Sequence, residues 1–244
     1  MGRRCAAFSI GFAVVFVSAM SVAFAGPRAV VELFTSQGCS SCPTADRLLG
    51  DLAQDSSVIA MSLPIDYWDY LGWKDTLALP RHALRQRGYA QMRGDREVYT
   101  PQVVVNGTVQ LLGSDRAAIA TAVAGNRNHK SMLTLPVTAT AANDRLNVTV
   151  AAADEQAAGE VWVCPLTRAV AVEIGRGENK GRTVTYHNVV RRWVKLGEWK
   201  GGAQTFSVPL SDLGANVDSA AVIVQTGTAE RPGPMLGAAV TALH

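Results

Sequence analysis

Beyond an apolar N-terminal stretch, the hydrophobic rhythm of the chain changes character once, near its middle. Val30-Val31-Glu32-Leu33-Phe34 is a short run of strand formers that ends in turn chemistry at Thr35-Ser36-Gln37-Gly38. Ala45, Leu48, Leu49 and Leu52 then recur at i, i+3, i+4 and i+7, one face of a helix that begins at about Cys39. Ser57 to Leu63 reads as the next strand, which a right-handed crossover lays parallel to the first. Val103 to Val105, the two-residue turn Asn106-Gly107 and Val109 to Leu112 predict a hairpin, followed by a helix from about Ser114 to Ala124.

The polar stretch Gly125-Asn126-Arg127-Asn128-His129-Lys130 closes this alternation. After it strands dominate: Met132 to Ala139, Arg145 to Ala152, Glu160 to Cys164, Ala169 to Ile174, Thr183 to Leu196, Gln204 to Leu210, Ala220 to Gln225 and Leu236 to Ala242. Asn, Asp, Gly and Pro separate them at the intervals of an antiparallel sandwich. The pattern therefore predicts a mixed α/β domain over residues 26–128 and an all-β domain over 129–244.

Residues 1–25 have the order of an export signal. Arg3 and Arg4 form a basic start, Ala6 to Val22 are almost wholly apolar, and Ala23-Phe24-Ala25 supplies the small-x-small pattern before a cut. Cleavage would make Gly26 the first mature residue; an uncleaved anchor is the alternative, since the uncharged run is long enough to span a bilayer. The expected location is the periplasm or the exterior, with no stable membrane insertion after the signal is removed. Composition adds one exclusion: 23 Lys+Arg against 20 Asp+Glu create no overall field that would draw the protein to nucleic acid.

Four cysteines are too few for a disulfide scaffold in 244 residues, so chemistry is the better reading of the pair in Cys39-Ser40-Ser41-Cys42-Pro43. A strand-to-helix turn places Cys39 at a helix N-terminus, where free N–H groups and the helix dipole favour a thiolate, the attacking species in disulfide exchange. Two intervening residues let Cys42 close a disulfide with Cys39 or resolve a mixed disulfide. Zinc would need two further ligands, and His82, His129, His187 and His244 are scattered, so neither a metal nor a cofactor is expected. Copper held by the thiolates and an imported ligand, or a purely structural disulfide, stays open.

Taken with Thr100-Pro101 ahead of the hairpin and last helix, the C-x-x-C block resembles the thioredoxin superfamily. Over nearly the whole mature length the chain resembles the secreted bacterial family catalogued as domain of unknown function 1223, through Val31 to Cys39, Asp66-Tyr67-Trp68-Asp69 and Gly177-Glu178-Asn179-Lys180-Gly181-Arg182. The resemblance implies an α/β thioredoxin-like domain ahead of the all-β antiparallel sandwich-like one. It also implies a cis Pro101 facing the cysteines. The superfamily places a buried carboxylate six positions before the first cysteine. Here Leu33 holds that position and Glu32 lies one further back, which makes Glu32 a candidate proton acceptor for Cys42.

The strand at Ser57 to Leu63 should open on the same edge as the cysteines, so Tyr67, Trp68 and Asp69, with Thr100, are the candidate substrate-binding residues. Arg81, Arg85, Arg87, Arg93 and Arg96 read as a solvated helix face, and Gly175 to Arg182 as a hairpin loop. Cys164 reads as a buried apolar residue and His187 as a satisfied strand histidine. The expected function is an exported thiol–disulfide oxidoreductase acting on extracytoplasmic thiol or disulfide proteins. Its rival is a non-catalytic binding module for copper delivery or an envelope complex.

Overall fold

A computed structural model describes residues 26–125, 132–153 and 157–244. The expected signal over 1–25 and the expected domain boundary at 128/129 lie outside these residues.

The first strand, β1 (Ala29–Thr35), leads through the cysteine turn into α1 (Cys42–Leu52) and returns as β2 (Val58–Pro64), parallel to β1 in the register Ala29↔Val58 to Thr35↔Pro64. After α2 (Pro80–Arg93), β3 (Gln102–Val105) and β4 (Val109–Leu112) form the expected hairpin, with β3 antiparallel to β1, and α3 (Arg116–Gly125) follows. Period-two alternation assigns the faces of β1. Ala29, Val31 and Leu33 pack with Ala45, Leu48 and Leu49 of α1 and Ile119 of α3, while Val30 and Phe34 point the other way, towards Ala83 and Tyr89 of α2.

The second half contributes β5 (Val137–Ala142), β6 (Arg145–Val150), β7 (Gly159–Glu173), β8 (Thr183–Val190), β9 (Val194–Trp199), β10 (Gln204–Pro209), β11 (Ser219–Gly227) and β12 (Pro232–Ala242). Here the expected fold class is overturned. Strand β8 pairs in parallel with β2 at Ser62↔Val189, and the Asn188 amide donates to the Ala60 carbonyl at 3.0 Å. Strands from both halves thus form one nine-stranded mixed sheet in the order β12-β11-β7-β8-β2-β1-β3-β4, with β9 beside β7. An α/β thioredoxin-like layer followed by an all-β sandwich does not describe this architecture, which is mostly β with three α-helices among the described residues. The physical reason is that periodicity marks β2 as a strand but does not say what pairs with its second edge.

The remaining strands, β10-β6-β5, form a small antiparallel sheet. It packs on the large one through Val137, Leu146, Val148 and Val150 against Val161, Val163, Val222 and Val224. The opposite face of β7 and β11, carrying Trp162, Cys164, Ala221 and Ile223, meets Ile59, Met61 and Leu63 of β2. Cys164 is fully buried there, carries no disulfide among the described residues, and burial pushes its thiol pKa up.

Candidate functional site

Cys39 and Cys42 form a disulfide with their Cα atoms 5.4 Å apart. The helix begins at Cys42 and not, as expected, near Cys39: Ser41 is its N-cap and Pro43 occupies its first turn, where a missing N–H costs little. Cys39 lies three residues ahead of the helix in a turn closed by Cys39 N–H to Ser36 O and Cys42 N–H to Cys39 O, both at 3.2 Å. Nor does the turn leave the pair open to solvent: only 2% of the Cys39 surface is accessible and Cys42 is fully buried.

The loop between β7 and β8 is hydrogen-bonded to the backbone of the cysteine turn. The Asn179 side-chain amide donates to the carbonyls of Gln37 at 3.0 Å and Cys39 at 2.8 Å, and the Ser40 N–H donates to the Glu178 carboxylate at 3.2 Å. Arg182 in turn donates to the Asn179 side-chain oxygen at 3.3 Å. A loop from the second half of the chain is therefore latched across the disulfide turn.

Beneath the turn lie two buried carboxyl groups. Asp46, one helical turn after Cys42 and on the same face of α1, accepts from the Thr35 hydroxyl at 2.8 Å through Oδ1. Its Oδ2 is buried with no hydrogen-bond partner among the described residues. Burial raises its pKa to about 8; the Thr35 hydrogen bond opposes that shift, and the nearby Asp75 adds to it. Asp75 accepts from the backbone N–H of Gln37 at 2.8 Å and from those of Leu77 and Ala78. Burial outweighs these bonds and raises the Asp75 pKa to about 6.

The expected substrate-binding residues converge on one flank of this turn. Trp68 donates its indole N–H to the Thr100 hydroxyl at 2.8 Å. A Cβ built on Gly38 would stand 3.0 Å from the Cβ of Trp68, so the lack of a side chain there allows the Trp68 backbone to lie against the cysteine turn. Asp69 accepts from the Asp75 N–H at 3.0 Å, which ties this flank to the buried carboxyls. Tyr67 donates to Gln86 at 3.2 Å, and Tyr70, 77% exposed, stacks on Trp68 with ring centroids 6.3 Å apart. The Thr100–Pro101 bond is cis.

Glu32 stands elsewhere. It shares the α2-facing side of β1 with Val30 and Phe34, opposite α1 and its cysteine. There it is fully buried, accepts from Arg85 at 2.6 Å and from the Tyr89 hydroxyl at 2.6 Å. Alternation along β1 puts its side chain on the face opposite Val31 and Leu33. Asp46 is the carboxyl beside Cys42 that sequence reasoning missed, although a polar residue set among Ala45, Leu48 and Leu49 was a readable signal. Asp75 and Asn179 reach the turn from 36 and 140 residues away from Cys39, and local spacing carries no trace of them. Among the described residues no three His, Cys, Asp or Glu side chains gather as a metal site.

The model of a family described as a protein of unknown function, DUF1223, matches residues 30–225. The fold is similar to the crystal structure of protein AGR_C_4864 from Agrobacterium tumefaciens, with 32% identity, a TM-score of 0.80, and coverage of 90% of this chain and 96% of that one. It is also similar to HBP35 of Porphyromonas gingivalis, at 13% identity and a TM-score of 0.58, covering 89% of this chain and 76% of that one; at this identity the likeness concerns the fold alone. No curated protein matches the chain.

Proposed function

We propose that this chain, which belongs to the DUF1223 family of proteins of unknown function, is an exported thiol–disulfide oxidoreductase acting on extracytoplasmic proteins through Cys39 and Cys42. The observation that carries this reading is the Cys39–Cys42 disulfide at the start of α1 with the Asp46 carboxyl buried one turn beyond it. Export is supported by the signal-like order of residues 1–25 and by the disulfide, which persists best outside a reducing cytosol.

In the oxidising direction a substrate thiolate attacks the sulfur of Cys39 once the Asn179 latch has opened. The Cys39–Cys42 bond breaks, and Cys42 leaves with the electron pair as a thiolate. Asp46, kept protonated by burial up to about pH 8, supplies the proton that neutralises it. A second substrate thiolate then attacks the substrate sulfur of the mixed disulfide, releasing Cys39 as a thiolate and the substrate as a disulfide. The reverse sequence reduces a substrate disulfide. Trp68, Thr100 and the exposed Tyr70 border the approach.

Burial of both sulfurs favours one other reading, a structural disulfide in a non-catalytic binding module. Equilibration of the protein with glutathione buffers, read by mass after thiol trapping, separates the two. A redox-active pair exchanges with a potential above about −300 mV, whereas structural disulfides resist the glutathione pool. Cys42→Ser is expected to trap mixed disulfides with envelope proteins and Cys39→Ser to trap none. A pair that stays oxidised in every buffer, with an empty trap, rejects the oxidoreductase.

A further inference from the structure

The arginines of α2 look like a solvated helix face in sequence, and the structure divides them. Arg81 and Arg87 are exposed, while Arg85 is buried. Arg85 donates from Nε to Glu32 at 2.6 Å and from Nη2 to the Tyr89 hydroxyl and the Gln225 side-chain oxygen, both at 2.7 Å. Gln225 also donates to the Tyr89 hydroxyl at 2.9 Å, so the network is cross-braced. Burying an ion pair gains little stability over packed apolar side chains. The disulfide site makes no use of this pair.

The network backs onto a cavity of about 580 Å³ lined chiefly by Arg81, Leu84, Arg85, Arg87, Trp162 and Trp193. That volume falls among those of small-molecule sites. Trp162 and Trp193, 5% and 9% exposed, form part of its lining and meet edge to face with centroids 6.3 Å apart. The Arg81 guanidinium lies 4.7 Å from the Trp162 ring centroid and that of Arg85 lies 4.3 Å from Trp193. A Cβ on Gly88 would come within 2.5 Å of the Glu230 carbonyl, so glycine allows α2 to seat directly on the β11–β12 loop at the edge of the cavity. Of the charges here, Arg81, Arg85 and Arg87 face two carboxylates, Glu230 on the wall and Glu32 behind Arg85, which leaves a positive excess. An adjoining cavity shares Arg87 and Gln91 and adds Arg96 and Arg231, extending that excess.

We infer that this cavity binds a flat organic anion of the aromatic carboxylate class. The ring fits against the exposed Leu84 and the accessible margins of the two indoles, and the carboxylate pairs with the guanidinium groups of Arg81 and Arg87, whose planar forks match it. Arg85 is charge-paired with Glu32 behind the wall, so the positive excess that meets the carboxylate comes from Arg81 and Arg87. None of the lining residues belongs to the disulfide site, so this inference stands or falls apart from the proposed redox chemistry.

Calorimetric titration of the full-length protein with 2-naphthoate, and with 2-naphthamide as its neutral counterpart, tests the assignment. One saturable site for 2-naphthoate is expected, with the amide at least about tenfold weaker. The double variant Arg81→Glu/Arg87→Glu is expected to bind 2-naphthoate at least about tenfold more weakly with an unchanged circular dichroism spectrum. If that variant unfolds, Arg87→Gln alone serves, with a loss of at least about threefold. Absence of a saturable site, equal affinity for acid and amide, or affinity unchanged by the arginine substitutions overturns the inference.

Discussion

At Asp46, burial and a single hydrogen bond from Thr35 leave the carboxyl with a pKa raised from 3.8 to about 8. The folded protein then holds this proton more tightly than the unfolded chain does, so stability falls as pH rises between those two values. Asp75, raised to about 6, contributes with the same sign over the lower part of the range. The urea midpoint of the native protein is expected to drop from pH 6.5 to pH 8, above the range in which the buried His82, lowered to about 4, acts with the opposite sign, and to drop less in Asp46→Asn; equal slopes would show that Asp46 is not the titrating group. Asn179 acts on access and not on ionisation. Its two hydrogen bonds to the turn, at a net value of about 1 kcal/mol each, make Asn179→Ala react roughly thirtyfold faster with dithiothreitol at the Cys39–Cys42 bond. An unchanged reduction rate would mean that the loop does not limit access.

Among the elements, the second-half strands differ from their sequence pattern for reasons that pairing explains. Glu160 to Cys164 and Ala169 to Ile174 are one strand, β7, because Pro165 sits where its ladder passes from β9, paired up to Val163, to β8, paired from Leu166. No N–H is needed at that point, so proline does not end the strand. Thr183 to Leu196 instead divides into β8 and β9 at Arg191 to Trp193, where Trp193 leaves the ladder to pack on Trp162. Burial also ranks the elements by what a truncation costs. Leu146→Ala in β6, fully buried between the two sheets, is expected to lower stability by about 2–5 kcal/mol. Leu112→Ala in β4, half exposed, should stay within about 0.5 kcal/mol. Chemical denaturation of the two variants checks that contrast.

For the molecule as a whole, the join between β2 and β8 matters most. Ile59, Met61 and Leu63 complete their core only against Trp162, Cys164, Leu166 and Val190 from the second half. The latch on the disulfide comes from that half as well. A fragment of residues 26–128 would expose both the edge of β2 and this apolar face. It is expected to lack the dispersed amide spectrum of a folded protein, while the intact chain unfolds in a single thermal transition. A fragment that folds by itself would show that the shared sheet is dispensable.

Local sequence determined the elements of the first half, because a strand, a helix and a hairpin are written in the spacing of neighbours: Val30 to Phe34, the i, i+3, i+4 stripe of α1, and the Asn106-Gly107 turn each appear as expected. It also marked the Cys39–Cys42 pair, since a disulfide between residues three apart needs no distant partner. Tertiary structure alone decided the rest. The single nine-stranded sheet depends on which edge β2 offers to β8, and the hydrogen bond to the Cys39 carbonyl depends on an Asn 140 residues further along. The orientation of Glu32 depends on how β1 faces its two layers, one with α1 and one with α2. Each of these is a long-range choice of partner, and the period of a hydrophobic pattern records only that a residue is buried, not against what.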